Sequence, residues 1–164
     1  MTAVLALKQT EENLIDWSEQ LCVGIQEIDE QHKVLVDLLN QLHKAIINHQ
    51  GNAAAISILD QLFQYTHIHF TVEESLMRIL GYADYENHKA HHELLINQVK
   101  QLRKKLDTEG HSISFELLHF LKKWLTKHIL EEDMEYVPHF LKNGAKTSFN
   151  HSSWLNRFWN TLHK

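Results

Sequence analysis

Apolar residues recur at spacings of three and four in four stretches of the chain. Val34, Leu35, Leu38, Leu39 and Leu42 mark the first, and Ile56, Leu59, Leu62, Phe63 and Phe70 mark the second. Leu94, Leu95, Val99 and Leu102 mark the third, and Phe115, Leu118, Leu121, Leu125 and Ile129 mark the fourth. That spacing repeats with the turn of an α-helix, and almost no alternating β-branched pattern competes with it. Punctuation sets the predicted ends. Asp29 is placed as the N-cap of a helix from about Glu30 to His49, and a second helix follows Asn52 and ends near Gly81. Asp84 caps a third that stops before Gly110; Ser112 or Ser114 caps a fourth, closed by the single proline, Pro138. Helices of roughly 20 to 27 residues on short loops pack as an antiparallel, up-and-down bundle. The predicted fold is therefore all-α, with a four-helix bundle over 29–138.

Two pieces lie outside the bundle. The arm, residues 1–28, carries Leu14, Ile15, Trp17, Val23 and Ile25, which can lie across the helices. In the last piece, 139–164, Trp154, Leu155, Phe158, Trp159 and Leu162 fall within about 140° of one helical face, so a short amphipathic C-terminal helix is predicted after a polar linker. Its stripe is expected to dock on the bundle, on a second subunit or on a client protein, with a membrane surface, through 152–163, ranked behind these.

Composition narrows the class. The chain has 164 residues, 43% of them hydrophobic, enough for one domain that buries roughly 70% of its unfolded surface. Sixteen basic against 21 acidic residues leave a formal charge of -5, and no basic run exceeds Arg103-Lys104-Lys105, which argues against a nucleic-acid partner. Cys22 is the only cysteine, so no intrachain disulfide can form. The start, Met1 to Leu7, is too short and wrongly flanked for a signal peptide, and no apolar run approaches the roughly 20 residues that span a bilayer. A cytoplasmic protein is expected.

Fourteen histidines change the picture because of where some of them fall. His69 and Glu73 are four apart, offset by only about 40° on a helix, and His88 and His92 repeat that geometry. His32 comes early in the first segment and His128 late in the fourth, so antiparallel packing can bring both to one level. A core does not bury such a set unpaired, which favours metal over a structural role. For a further carboxylate, helix geometry by itself selects Glu132, four after His128; Asp133, at five, lies about 140° away. Five imidazoles with two carboxylates suit iron, copper, nickel or zinc better than magnesium or calcium. Two bridging carboxylates, five imidazoles and a solvent-derived bridge provide the bonds of one six-coordinate and one five-coordinate ion, which leaves one position open. The other nine histidines are read as non-ligands: His67 and His91 sit on other faces from His69 and His92, and the Glu116/His119 pair is placed on the surface. Cys22 is expected to be a small, partly buried side chain.

Together these stretches resemble the hemerythrin family, the bacteriohemerythrins in particular. The resemblance rests on Trp17, Val23-Gly24-Ile25, Ile28-Asp29-Glu30-Gln31-His32, His69-Phe70-Thr71-Val72-Glu73-Glu74, Gly81-Tyr82 and His88-Lys89-Ala90-His91-His92. It continues through Trp124-Leu125-Thr126-Lys127-His128-Ile129, Asp133 and Tyr136, and so covers roughly residues 17 to 136. It implies two iron ions with a bridging oxo or hydroxo group: His88, His92 and His128 on one, His32 and His69 on the other, Glu73 and Asp133 across both. The choice of Asp133 over Glu132 comes from the resemblance alone, and it requires a locally widened helix (a π-bulge) or a different reach of the shorter side chain. The resemblance further implies an apolar oxygen pocket of Leu35, Phe70, Trp124 and Leu125, with Tyr136 as a hydrogen-bond partner behind the ligands. The function it implies is reversible dioxygen binding for storage, delivery or sensing, not catalysis. An oxygen or nitric oxide sensor acting through a partner, and a di-iron oxidase, ferroxidase or peroxidase, are the other classes. A structural zinc site is compatible with the same donors.

Overall fold

Gly24 sets where the first long helix begins. Its φ of +90° lies in the left-handed region, which costs an L side chain roughly 1–2 kcal/mol. There the chain turns out of the arm and into α1, Gln26–Ile47. The computed structural model describes residues 12–109, 115–145 and 159–163. Within them α1 is followed by α2, Asn52–Ile79, α3, Tyr85–Glu109, and α4, Phe115–Lys127, and then by a π-helical turn, His128–Asp133, that leads into α5, Met134–Lys142. Helix α1 packs on α2 and α4, and α2 packs on α3 and α5. Short connections at 48–51 and 80–84 force the antiparallel order. The result is the helical bundle expected from the apolar spacing.

The buried stripes explain why these segments are helices. On α2, Leu59, Leu62, Thr66, His69, Glu73 and Met77 repeat at three or four and are all buried. On α3 the buried line is His88, His92, Leu95 and Val99. The ligand candidates thus continue the core stripe. Two expected core positions do not: Leu94 is 60% exposed and Phe115 66% exposed. Leu94 is one residue, about 100°, off the line that His88, His92, Leu95 and Val99 define, and Phe115 is the first residue of its helix.

Several predicted ends also move. Asp29 is not the N-cap: α1 starts three residues before it, behind Ile25, and Asp29 is fully buried in the first turn. Its carboxylate turns back and accepts the backbone N–H groups of Val23 at 2.6 Å and Gly24 at 3.1 Å. The acid therefore ties the arm to the helix start. Pro138 does not close the last segment, since α5 runs through it to Lys142. A proline removes one helical N–H, yet the segment continues in α geometry through it. Ser112 and Ser114 lie outside the described residues.

The described arm lies against the bundle, with Ile15, Leu21, Val23 and Ile25 buried and Leu14 and Trp17 packed beside them. Asn40 of α1 holds it. Its side-chain amide accepts from the N–H of Ile15 at 3.0 Å and donates to the Ile15 carbonyl at 2.8 Å. Cys22 is partly buried. At the other end, 159–162 is helical and Trp159 is buried, whereas Leu162 is 60% exposed; Trp154, Leu155 and Phe158 of the predicted stripe lie outside the described residues. Among the described residues no helix is long and apolar enough to cross a membrane.

Asn40→Ala leaves a buried N–H and C=O of Ile15 without partners and should lower unfolding free energy by about 1–3 kcal/mol. Urea denaturation checks this, with an unchanged m-value expected because the rest of the bundle is untouched.

Candidate metal centre

Four helical segments each present polar side chains to one level of the core. α1 brings His32, α2 brings His69 and Glu73, α3 brings His88 and His92, and the π turn brings His128 and Asp133. All seven are buried, five of them with no exposed surface at all. Asp133 is the centre of the contacts. Its Oδ2 lies 2.7 Å from His32 Nε2, 2.9 Å from His128 Nε2 and 3.8 Å from His69 Nε2, and its Oδ1 lies 3.4 Å from His88 Nε2. Glu73 mirrors it from α2, with Oε1 3.2 Å from His69 Nε2 and Oε2 3.2 Å from His92 Nε2, 3.8 Å from His128 Nε2 and 3.9 Å from His88 Nε2.

The widened helix is where the resemblance required it. Residues His128–Asp133 form a π turn, which adds a residue to the turn and brings Asp133 round to the face of His128. Glu132, which α-helical geometry selected, has another place. It is half-buried and meets the outer nitrogen of the same ring, His128 Nδ1, at 3.3 Å.

Other rings have outer partners too. His69 Nδ1 meets Gln31 Oε1 at 2.7 Å, and Gln31 Nε2 donates to Glu27 Oε1 at 3.0 Å. His92 Nδ1 meets Glu74 Oε1 at 2.9 Å. Tyr136, fully buried, donates its hydroxyl to Glu73 Oε1 at 2.5 Å. Such partners fix ring orientation and leave the inner nitrogen free to ligate. Gln31 and Glu74 were missed from sequence, since each contacts a ligand carried by another helix; the only signal was their adjacency to His32 and Glu73.

The donor set fits a pair of cations. Glu73 Oε2, His88 Nε2, His92 Nε2 and Asp133 Oδ1 are buried without a hydrogen-bond partner, and all four face the cluster. Each such group costs about 1–3 kcal/mol if nothing satisfies it, and more when charged. By distance, the ligating atoms fall into two overlapping sets, each within 4.8 Å: His32, His69, Glu73, His128 and Asp133, and Glu73, His88, His92 and Asp133. Glu73 and Asp133 belong to both sets, as carboxylates shared by two ions must. His128 falls with His32 and His69, whereas the resemblance joins it to His88 and His92. The reason is a direct contact of 3.3 Å between the Nε2 atoms of His128 and His69, a hydrogen bond of the protein alone. Ligation would take the proton from that bond and turn the two nitrogens away from each other.

Aromatic side chains wall the cluster. Phe70 stacks on His92 with ring centroids 3.6 Å apart and planes 1° apart, and Trp124 stacks on His128 at 5.4 Å. Leu35, Phe70 and Leu125 are buried, and Trp124 is half-buried. Trp124 and Leu125 also line an apolar cavity of about 20 Å³ together with Leu39, Leu59, Leu95 and Leu121, room for about one water-sized molecule. Of the remaining histidines, His67, His91 and His119 are exposed, as is Glu116.

Burial opposes charge on His88 and His128, but Asp133 and Glu73 outweigh it and raise His88 to about 9 and His128 to about 10. Asp133 is held well below the usual carboxylate range, because His128 and His32 overcome its burial; Glu73 is held low in the same way, chiefly by His69. His32 goes the other way, since its burial outweighs its hydrogen bond to Asp133. A raised folded-state value means stability that is fully present below the unfolded value of about 6.5 and lost as pH rises through the folded one. The metal-free protein should therefore lose thermal stability between pH 7 and roughly 10.5, while the metal-loaded protein, with these rings neutral and ligated, should not. Melting curves of the two forms across that range check it.

Comparison with known proteins agrees with this geometry. The sequence profile of the hemerythrin HHE cation binding domain matches residues 23–140. A bacteriohemerythrin of Stenotrophomonas maltophilia is 36% identical over 146 residues, 88% of this chain and 94% of its own. One from Pseudomonas aeruginosa is 37% identical over 146 residues, 86% of this chain and 92% of its own. Among solved structures, wild-type hemerythrin superposes with a TM-score of 0.73 at 30% identity, covering 77% of this chain and 98% of that one.

Proposed function

The chain belongs to the hemerythrin family, and on that premise we propose that it binds dioxygen reversibly at a pair of iron ions held by His32, His69, Glu73, His88, His92, His128 and Asp133. The observation that carries the reading is the pair of donor sets sharing two buried carboxylates. Five imidazoles divide three to two in either grouping, so one ion is left with a position for an exogenous ligand. Two ferrous ions held there would supply the two electrons on which reversible oxygen binding draws. Neutral imidazoles predominate over carboxylates here, which supports carriage over strongly oxidising turnover.

The protein's own part is to orient and to exclude. Gln31, Glu74 and Glu132 hold the outer nitrogens of His69, His92 and His128, so those three rings keep one tautomer. Tyr136 holds Glu73 Oε1. Phe70, Trp124, Leu35 and Leu125 would keep bulk water and anions from the ligand position.

Protein produced with ample iron should carry close to two iron atoms per chain. Anaerobically reduced protein should be colourless and gain a charge-transfer band with oxygen that disappears on deoxygenation. Rapid, irreversible oxidation instead of that cycle, or zinc alone at full occupancy, overturns the reading. The π turn separates two carboxylates sharply. Asp133→Ala should abolish loading of two irons, whereas Glu132→Ala should keep both and weaken affinity by about 10- to 100-fold. Iron analysis with chelator competition distinguishes them.

A further inference from the structure

The indole of Trp159 ties the C-terminal segment to an aromatic of the bundle. It meets Tyr65 of α2 edge-on, with ring centroids 4.6 Å apart and planes at 77°. His163 stacks on it at 3.8 Å and 26°, and His163 Nδ1 lies 3.1 Å from the Trp159 carbonyl. Trp159 is 6% exposed and Tyr65 not at all. Tyr65 is one turn before His69 on the buried stripe of the same helix.

One turn further along α2, the His69 ring is held by a hydrogen-bond chain from α1. Glu27 is at the half-exposed start of α1, Gln31 is fully buried one turn later, and the His69 ring follows. Tyr65 and His69 are four apart on α2 and both fully buried, so the ring that Trp159 covers and the ring that Gln31 holds share one face of that helix. A buried amide that orients an imidazole holds it only while water cannot compete for the same atoms.

We propose that Trp159 is a positioning residue for the metal centre: by covering Tyr65 it keeps water from the buried Gln31–His69 end of that chain and so fixes the His69 ring. The C-terminal segment then has a role in retaining the metals, independent of any partner. The proposal rests on the reading of His69 as a ligand, in either grouping of the histidines.

The test uses the full chain as wild type, Trp159→Ala and Trp159→Phe, and reads two quantities. Amide hydrogen exchange of the metal-free protein reports cover over residues 26–35 and 62–73. Transfer of bound iron to a chelator reports the ligand cage. Trp159→Ala should speed exchange in both segments while leaving 85–100 unchanged, and should speed iron loss by about 10-fold, the lower end of what loss of a ligand's hydrogen-bond partner does. Trp159→Phe should restore both. Unchanged iron loss in Trp159→Ala, even with faster exchange, makes Trp159 a structural contact only and overturns the proposal. Unchanged exchange overturns it as well. Wild-type protein that takes up no metal overturns instead the functional reading on which the proposal stands. Should Trp159→Ala fail to fold, Trp159→Leu carries the same comparison.

Discussion

Everything in this fold answers to one constraint: five imidazoles and two carboxylates are kept out of water at a single level of a helical bundle. Burying an isolated ionised group costs several kcal/mol, and burying a cluster is tolerable only when each member faces an opposite charge, a hydrogen bond or a metal. The bundle meets the demand in layers. Inner atoms of the seven side chains face one another at 2.7 to 3.9 Å, outer ring nitrogens meet Gln31, Glu74 and Glu132, and apolar rings close the gaps. Stability and function are coupled here, because the same carboxylates that would hold cations also neutralise the rings around them.

The π turn shows how local geometry serves that constraint. An α-helical turn would carry Glu132 inward and leave Asp133 off the face, placing a longer side chain among the donors. One additional residue in the turn reverses the two. Asp133 then reaches four histidines, and Glu132 becomes the support of the ring it would otherwise have competed with. The segment beyond the widened turn runs on as α5, and Pro138 lies inside it.

Ends of elements were less legible than their middles. Asp29 has the residue type of an N-cap and stands at the right distance from the first apolar run, yet its carboxylate serves the arm. That role depends on where Val23 and Gly24 lie in space, and spacing along α1 carries no information about it. Leu94 and Phe115 failed for a related reason. Apolar character marks a helix, but the bundle chooses a line about one residue wide, and His88 and His92 define it better than Leu94 does.

What the sequence by itself determined is the helical bundle and the ligand-bearing face of each long segment. Helical period is a local property, and His69 with Glu73 or His88 with His92 share a face in any α-helix. Resemblance to a family added Asp133 and with it the need for a widened turn. Only the tertiary structure decided how the faces converge, which carboxylate of the neighbouring pair points inward, and which side chains from other helices hold the outer nitrogens. It also placed Trp159 on Tyr65. Contacts such as Glu74 with His92 and His32 with Asp133 join residues 18 and 101 positions apart, and such pairings are set by packing in three dimensions, on which one-dimensional periodicity is silent.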